Sequence, residues 1–187
     1  MQKPYVIGIA GGSAGGKTTF SDKLTKELCD LRVKVFHMDS YFKPRDERPK
    51  STAPVSGKVY VDDNHPETME LGRFADDLRA AIESGEWQVI IAEGLLVLWD
   101  ETILSQLDLK LFVDCRADER IVRRIRRNSK WNQTFEEITD VYLDLVRFRH
   151  DEYVEPTHWR ADLILNGSAP SDTALHMIAK GVREKIK

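Results

Sequence analysis

Gly11-Gly12-Ser13-Ala14-Gly15-Gly16-Lys17-Thr18 fits the pattern G-x-x-x-x-G-K-[ST]. Glycines let a backbone turn tightly and aim its N–H groups at an anion, and a helix that follows adds its free amides and the positive end of its dipole. Lys17 can then reach the β and γ phosphates of a nucleotide, and the Thr18 hydroxyl, with Thr19 beside it, suits Mg²⁺. Two carboxylates, Asp39 and Glu93, each close an apolar run downstream. Phosphoryl transfer to an alcohol needs charge neutralisation, alignment and a carboxylate to orient the hydroxyl and take its proton. Asp39 is the first choice for that base, and Glu93 for holding the metal through water or for binding substrate hydroxyls. Turn or helix capping is the structural alternative for each, and is favoured for Asp114. Arg116, Arg120, Arg123, Arg124, Arg126 and Arg127 crowd twelve residues. Arg120, Arg123, Arg124 and Arg127 recur at helical spacing on one broad face, which can clamp phosphate oxygens, pair with acids in solvent, or meet a nucleic-acid backbone.

These groups must be carried by elements that bring them together. Val6–Ala10 is a short apolar run ended by glycine, and Phe20, Leu24 and Leu28 predict a helix from Thr18 to Asp30. Further strands are expected at Val33–Met38, Val89–Ala92, Leu109–Val113 and Asp162–Leu165. Helices are expected at Thr68–Ser84, stopped by Gly85, at about 117–128, at about 135–153, broken by Pro156, and at Pro170–Lys185. The long helix has Ile138, Val141, Tyr142, Leu145, Phe148 and Tyr153 as its apolar face. Residues 40–66, with Pro44, Pro49, Pro54 and Pro66, read as a long irregular substrate loop. Short apolar strands separated by helices predict an α/β fold: a P-loop-type parallel five-stranded sheet in three α/β/α layers, one domain over 1–187. In such a sheet ligands bind at the C-terminal strand ends, where Asp39, Glu93 and the glycine loop all fall.

The chain has 187 residues and a formal net charge of -3, with 41% hydrophobic and 32% charged residues, an ordinary soluble composition for one domain. The mild acidity argues against a nucleic-acid partner. No apolar run approaches a membrane span, and the first apolar run is too short for a signal-peptide core, so a cytoplasmic location is expected. Cys29 and Cys115 show no metal-ligand spacing and read as reduced, partly buried thiols.

The chain resembles the phosphoribulokinase/uridine kinase family. Besides the P-loop, the resemblance rests on Met38-Asp39-Ser40-Tyr41-Phe42-Lys43-Pro44, Asn64-His65-Pro66, Glu93-Gly94, the Arg120-x-x-Arg123-Arg124-x-x-Arg127 run and Ala161-Asp162-Leu163-Ile164. It implies ATP and Mg²⁺ as cofactors, Asp39 as catalytic aspartate and Glu93 as an acid near metal and substrate. Tyr41 and Phe42 match the aromatic pair after the aspartate, in inverted order. Arg124 and Arg127 match arginines of a lid region, here about 116–134, that touch substrate or phosphate; Arg120, which shares their helix face, is expected on the nucleotide. Asn64 falls where uridine kinases have an aspartate for ribose hydroxyls. Asp62 and Asp63 adjoin it, and His65 joins the acceptor candidates, with a loop-scaffold role the favoured alternative to a proton donor. Ser129-Lys130-Trp131-Asn132-Gln133-Thr134 stands where the uridine kinase lid carries two further arginines.

The expected activity is ATP-dependent transfer to a small-molecule alcohol, led by the 5′-hydroxyl of a ribonucleoside. Nicotinamide riboside, pantothenate-like and sugar acceptors are alternatives, as is a regulatory or nucleotide-sensing NTPase without an acceptor. A guanine-reading N-K-x-D motif is absent from the sequence. Association into homo-oligomers is left open.

Overall fold

A computed structural model describes residues 3–187; the first two residues of the expected 1–187 domain lie outside the described residues. The elements in chain order are β1 (Tyr5–Gly11), α1 (Lys17–Glu27), β2 (Val33–His37), β3 (Lys50–Thr52), β4 (Val59–Val61), α2 (Leu71–Ser84), β5 (Val89–Glu93), α3 (Glu101–Leu104) and β6 (Leu109–Asp114). They continue with α4 (Ala117–Asn128), α5 (Phe135–Val141), α6 (Arg147–Arg149), β7 (Leu163–Asn166) and α7 (Asp172–Lys185). Five strands form one parallel sheet in the order β2-β5-β1-β6-β7. The α/β architecture with flanking helices is the expected one.

Period-two alternation on β1 divides the core between the two faces of the sheet. Val6 and Ala10 join Phe74, Leu78 and Phe112 on one side, while Ile7 and Ile9 join Leu24, Leu28 and Ile178 on the other. These side chains are almost wholly removed from water, each worth about 1.5–3 kcal/mol for the larger ones. The central strand is thereby anchored on both faces. Parallel pairing puts every C-terminal strand end on one edge, and His37 of β2 lies in register with Glu93 of β5.

Several boundaries differ from expectation. The 40–66 stretch is not irregular throughout: Lys50–Thr52 and Val59–Val61 pair antiparallel as a two-stranded ribbon outside the main sheet. Val, Tyr and Thr favour the pleat, and Pro54 and Gly57, the latter at φ 71°, occupy the turn. The α2 helix starts at Leu71 because Pro66–Thr68 forms a 3₁₀ turn, with the His65 side chain accepting from the Glu67 amide. Gly85 ends α2 in the left-handed region at φ 67°, as expected.

The long helix departs further. Between α5 and α6 lies a π segment, Tyr142–Val146, and a second, His150–Val154, follows α6. A 3₁₀ stretch, Glu155–Arg160, then carries Pro156 in its first turn, so the proline marks a change of helix type rather than the end of helix. His150 and Val154 are buried, whereas Phe148, expected in the core, is half-buried with the Arg147 guanidinium over its ring. Cys115 is buried, but Cys29 is exposed, correcting the expectation of a partly buried thiol. Asp114 does not cap α4: the N-cap position is Arg116 and no side chain fills it. Among the described residues no helix is long and apolar enough to cross a membrane.

Candidate active site

A cavity of about 1520 Å³ opens at the C-terminal edge of the sheet, beside the loop that joins β1 to α1. That loop is tightly folded. Gly16 sits at φ 105° and Ala14, though not glycine, at φ 61°, a conformation that costs an L-residue roughly 1–2 kcal/mol. Gly15 donates its amide to the Gly12 carbonyl at 3.0 Å, and a Cβ on Gly15 would stand 2.9 Å from that oxygen. Ser13, Ala14, Gly16, Lys17, Thr18 and Thr19 line the cavity, while Gly11, Gly12 and Gly15 are buried behind them.

Lys17 Nζ donates to the Gly12 carbonyl at 3.1 Å. Burial pushes its ammonium below the usual lysine range, and Glu93 and Asp39 pull it back up. Thr18 Oγ1 donates to Glu93 Oε1 at 3.1 Å, and the same oxygen meets His37 Nδ1 at 2.8 Å. Glu93 is 5% exposed. It stands at the cavity with Asp39, which follows β2. Two carboxylates, the P-loop lysine and its neighbouring hydroxyl thus converge on one cavity.

The arginine helix supplies further lining. Arg124 and Arg127 both donate to Ser13 Oγ, at 3.2 and 3.4 Å. Burial holds both guanidinium groups below their ordinary range; for Arg124 the Arg127 charge lowers it further, and for Arg127 Asp39 raises it. Crowded, desolvated cations of this kind favour a polyanion between them. The other arginines divide. Arg120 does not line the cavity, correcting the expected nucleotide contact: its Nε donates to the Cys115 carbonyl at 3.0 Å, and it lies buried directly beneath Gly12. Arg123 holds the Gly167 carbonyl at 2.9 Å and Glu119 at 2.9 Å. The broad basic face of α4 is thus split between support and cavity.

The expected acceptor residues also divide. Asp63 and Asn64 line the cavity, and Asp63 Oδ1 accepts from Arg48 Nη1 at 2.9 Å. Phe42 lines it too, under the Arg48 guanidinium at 4.5 Å. Tyr41 turns away: its ring packs edge-on against Phe74 and its hydroxyl donates to Asp77 Oδ2 at 2.8 Å. Burial, then the Asp77 hydrogen bond, push that phenol up to about 12. His65 is likewise outside the cavity, edge-on to Tyr153 at 5.4 Å. Neither is placed to touch an acceptor. Asp62 is 1% exposed and engaged by Arg149.

Sequence reasoning missed His37, Arg48, Tyr60 and Asp140, of which the last three line the cavity. For His37 the in-register strand ends were the available signal; the others depend on long-range packing. Trp131 is 65% exposed, lines the cavity, and has Arg127 at 5.6 Å from its ring centroid.

Thr18, Glu93 and Asp39 offer hard oxygen donors, the chemistry a small divalent cation takes alongside phosphate oxygens. Among the described residues no group of three or more His, Cys, Asp and Glu could hold a metal ion unaided.

A five-stranded parallel sheet with a glycine loop, a lysine and carboxylates at one edge defines a P-loop phosphotransferase. The solved phosphoribulokinase from Rhodobacter spheroides shares this fold, with a TM-score of 0.67 at 15% identity over 88% of this chain and 70% of that one. In sequence, the chain is 30% identical over 207 residues to a uridine kinase of Deinococcus deserti, covering 98% of each. It is 29% identical to a uridine kinase of Oceanobacillus iheyensis, covering 99% of this chain and 96% of that one. The model of the Phosphoribulokinase / Uridine kinase family matches residues 50–174. The chain belongs to that family, whose members are ATP-dependent kinases.

Proposed function

We propose that this kinase transfers the γ-phosphoryl group of ATP to the 5′-hydroxyl of a ribonucleoside, with uridine the leading acceptor. The observation that carries the reading is the convergence of Lys17, Asp39, Glu93, Arg124 and Arg127 on one cavity that also holds Asp63 and Asn64. Uridine itself rests on the near full-length similarity to chains named uridine kinase.

In this reading residues 3–187 act as one kinase domain, with acceptor residues on the 40–66 stretch and a lid over about 116–134. P-loop amides and Lys17 grip the triphosphate. Thr18 and the neighbouring carboxylates would hold Mg²⁺, which would supply neutralisation of phosphate charge. Asp63 and Asn64 hold the ribose hydroxyls; an asparagine both accepts and donates there. Asp39 orients the acceptor hydroxyl and takes its proton as the O–P bond forms. Arg124 and Arg127 hold the transferring oxygens, and closure of the lid over them would keep water from competing.

The test is ADP formation with a panel of acceptors: uridine, cytidine, adenosine, nicotinamide riboside, pantothenate and ribose. Turnover highest with a pyrimidine ribonucleoside supports the reading. Turnover confined to pantothenate or a free sugar, or equal ATP consumption without any acceptor, overturns it.

A further inference from the structure

Asp63 and Asn64 are carried by the chain leaving β4, yet the β3–β4 ribbon pairs with no strand of the main sheet. Something else must fix these residues relative to the phosphates. Asp62 sits immediately before them, 1% exposed, and both its carboxylate oxygens are occupied. Oδ1 accepts from the Asn64 amide at 3.1 Å, and Oδ2 accepts from Arg149 Nε at 2.6 Å. Arg149 Nη2 also donates to Ser51 Oγ of β3 at 2.9 Å, so one guanidinium grips both arms of the ribbon. Its Cζ lies 5.7 Å from the Tyr153 ring centroid, and that ring meets both His65 and Trp99 edge to face.

Five residues earlier on the same helical run, Asp144 Oδ2 accepts from Ser56 and, at 2.9 Å, from Tyr60. In an α-helix positions five apart point about 140° away from each other. The π segment Tyr142–Val146 changes that angle, and both Asp144 and Arg149 reach the ribbon. The helical run thus presents two grips to one peripheral element.

We propose that Arg149 is a positioning residue for acceptor binding, acting through buried Asp62 to set the backbone turn that aims Asp63 and Asn64 into the cavity. Arg149 itself does not touch the acceptor. The inference rests on the reading of Asp63 and Asn64 as acceptor ligands. Removing the grip loosens those two residues and leaves the P-loop, on the rigid central strand, unchanged.

The experiment is steady-state kinetics with uridine and MgATP on the full chain, comparing Asn64→Ala, Arg149→Met and the double variant Asp62→Asn/Arg149→Met. The double variant carries no buried unpaired charge and keeps an oxygen for the Asn64 amide, so it serves if Arg149→Met does not fold. Expected for both Arg149 variants is a uridine KM raised about tenfold or more, the scale of a misplaced binding group, with the ATP KM within about twofold. Hydrogen–deuterium exchange reads the same link without an acceptor: the Asn64 amide is expected to exchange faster, and the Lys17 and Thr18 amides to be unaltered. If Asn64→Ala raises the uridine KM while both Arg149 variants keep a normal one, the positioning role is overturned and the acceptor site stands. If Asn64→Ala also has no effect, the acceptor reading itself falls. An ATP KM rising in step with that of uridine shows general damage and overturns the proposal as well.

Discussion

The Thr18 hydroxyl donates to Glu93 Oε1 across 3.1 Å, tying the first turn of α1 to the C-terminal end of β5. Neither group is spare. A second donor or acceptor, His37 Nδ1, stands 2.8 Å from the same oxygen. Glu93 is thus held in one orientation beside the hydroxyl that a phosphate-bound cation would meet. Glu93→Gln keeps the shape and removes the charge. The Mg²⁺ concentration for half-maximal activity is expected to rise roughly ten- to hundredfold, the usual scale for a group that acts on a metal through its ligands. A magnesium titration at saturating ATP measures it. An unmoved midpoint removes Glu93 from the metal site.

The P-loop admits almost no extra volume at Gly15. A methyl group there would press on the Gly12 carbonyl, which is backbone and also the acceptor for Lys17. Gly15→Ala is expected to cost about 1–3 kcal/mol of stability by overpacking, and to weaken ATP binding more than tenfold by moving the lysine. Denaturant melts and calorimetric ATP titration check the two effects separately.

His150 is 8% exposed and buried in a cationic setting. Burial first, then the charges of Arg120 and Lys17, hold it down at about 3. Glu155 at 3.1 Å opposes them, but its carboxylate is half in water and screened. The unfolded chain takes up this proton near pH 6.5 and the folded chain does not. Stability is therefore expected to fall as pH drops from about 6.5 towards 3, by about 1.4 kcal/mol per pH unit through the middle of that window. His150→Gln is expected to flatten the dependence between pH 6.5 and 5. Urea unfolding at pH 7, 6 and 5 reads it, and an unchanged slope in the variant contradicts the assignment.

What was legible in the sequence was local. The P-loop, the five sheet strands and the Gly85 stop are each written in adjacent residues with a physical meaning, and Asp39 and Glu93 follow from strand ends alone. The ribbon escaped because three-residue strands among prolines carry too little pattern. The arginine face misled in part: helical spacing groups Arg120 with Arg124 and Arg127, but depth beside the loop separates a buried prop from two cavity residues. Tyr41 and His65 lie next to cavity-lining Phe42 and Asn64, yet alternate backbone directions send them to Asp77 and Tyr153. The partnership of Asp62 with Arg149 spans 87 positions, and the π segments that allow such contacts have no mark in a 3.6-residue period.

In the proposed reaction Asp39 delivers an alcohol to the γ phosphate held by Lys17. Its most direct measurement is product analysis with ATP, Mg²⁺ and uridine, for the unaltered chain and for Asp39→Asn. One uridine 5′-monophosphate is expected per ADP, with turnover in Asp39→Asn reduced by about 10² or more and ATP affinity retained. Inorganic phosphate released without a phosphorylated nucleoside, or full turnover in Asp39→Asn, would contradict the account.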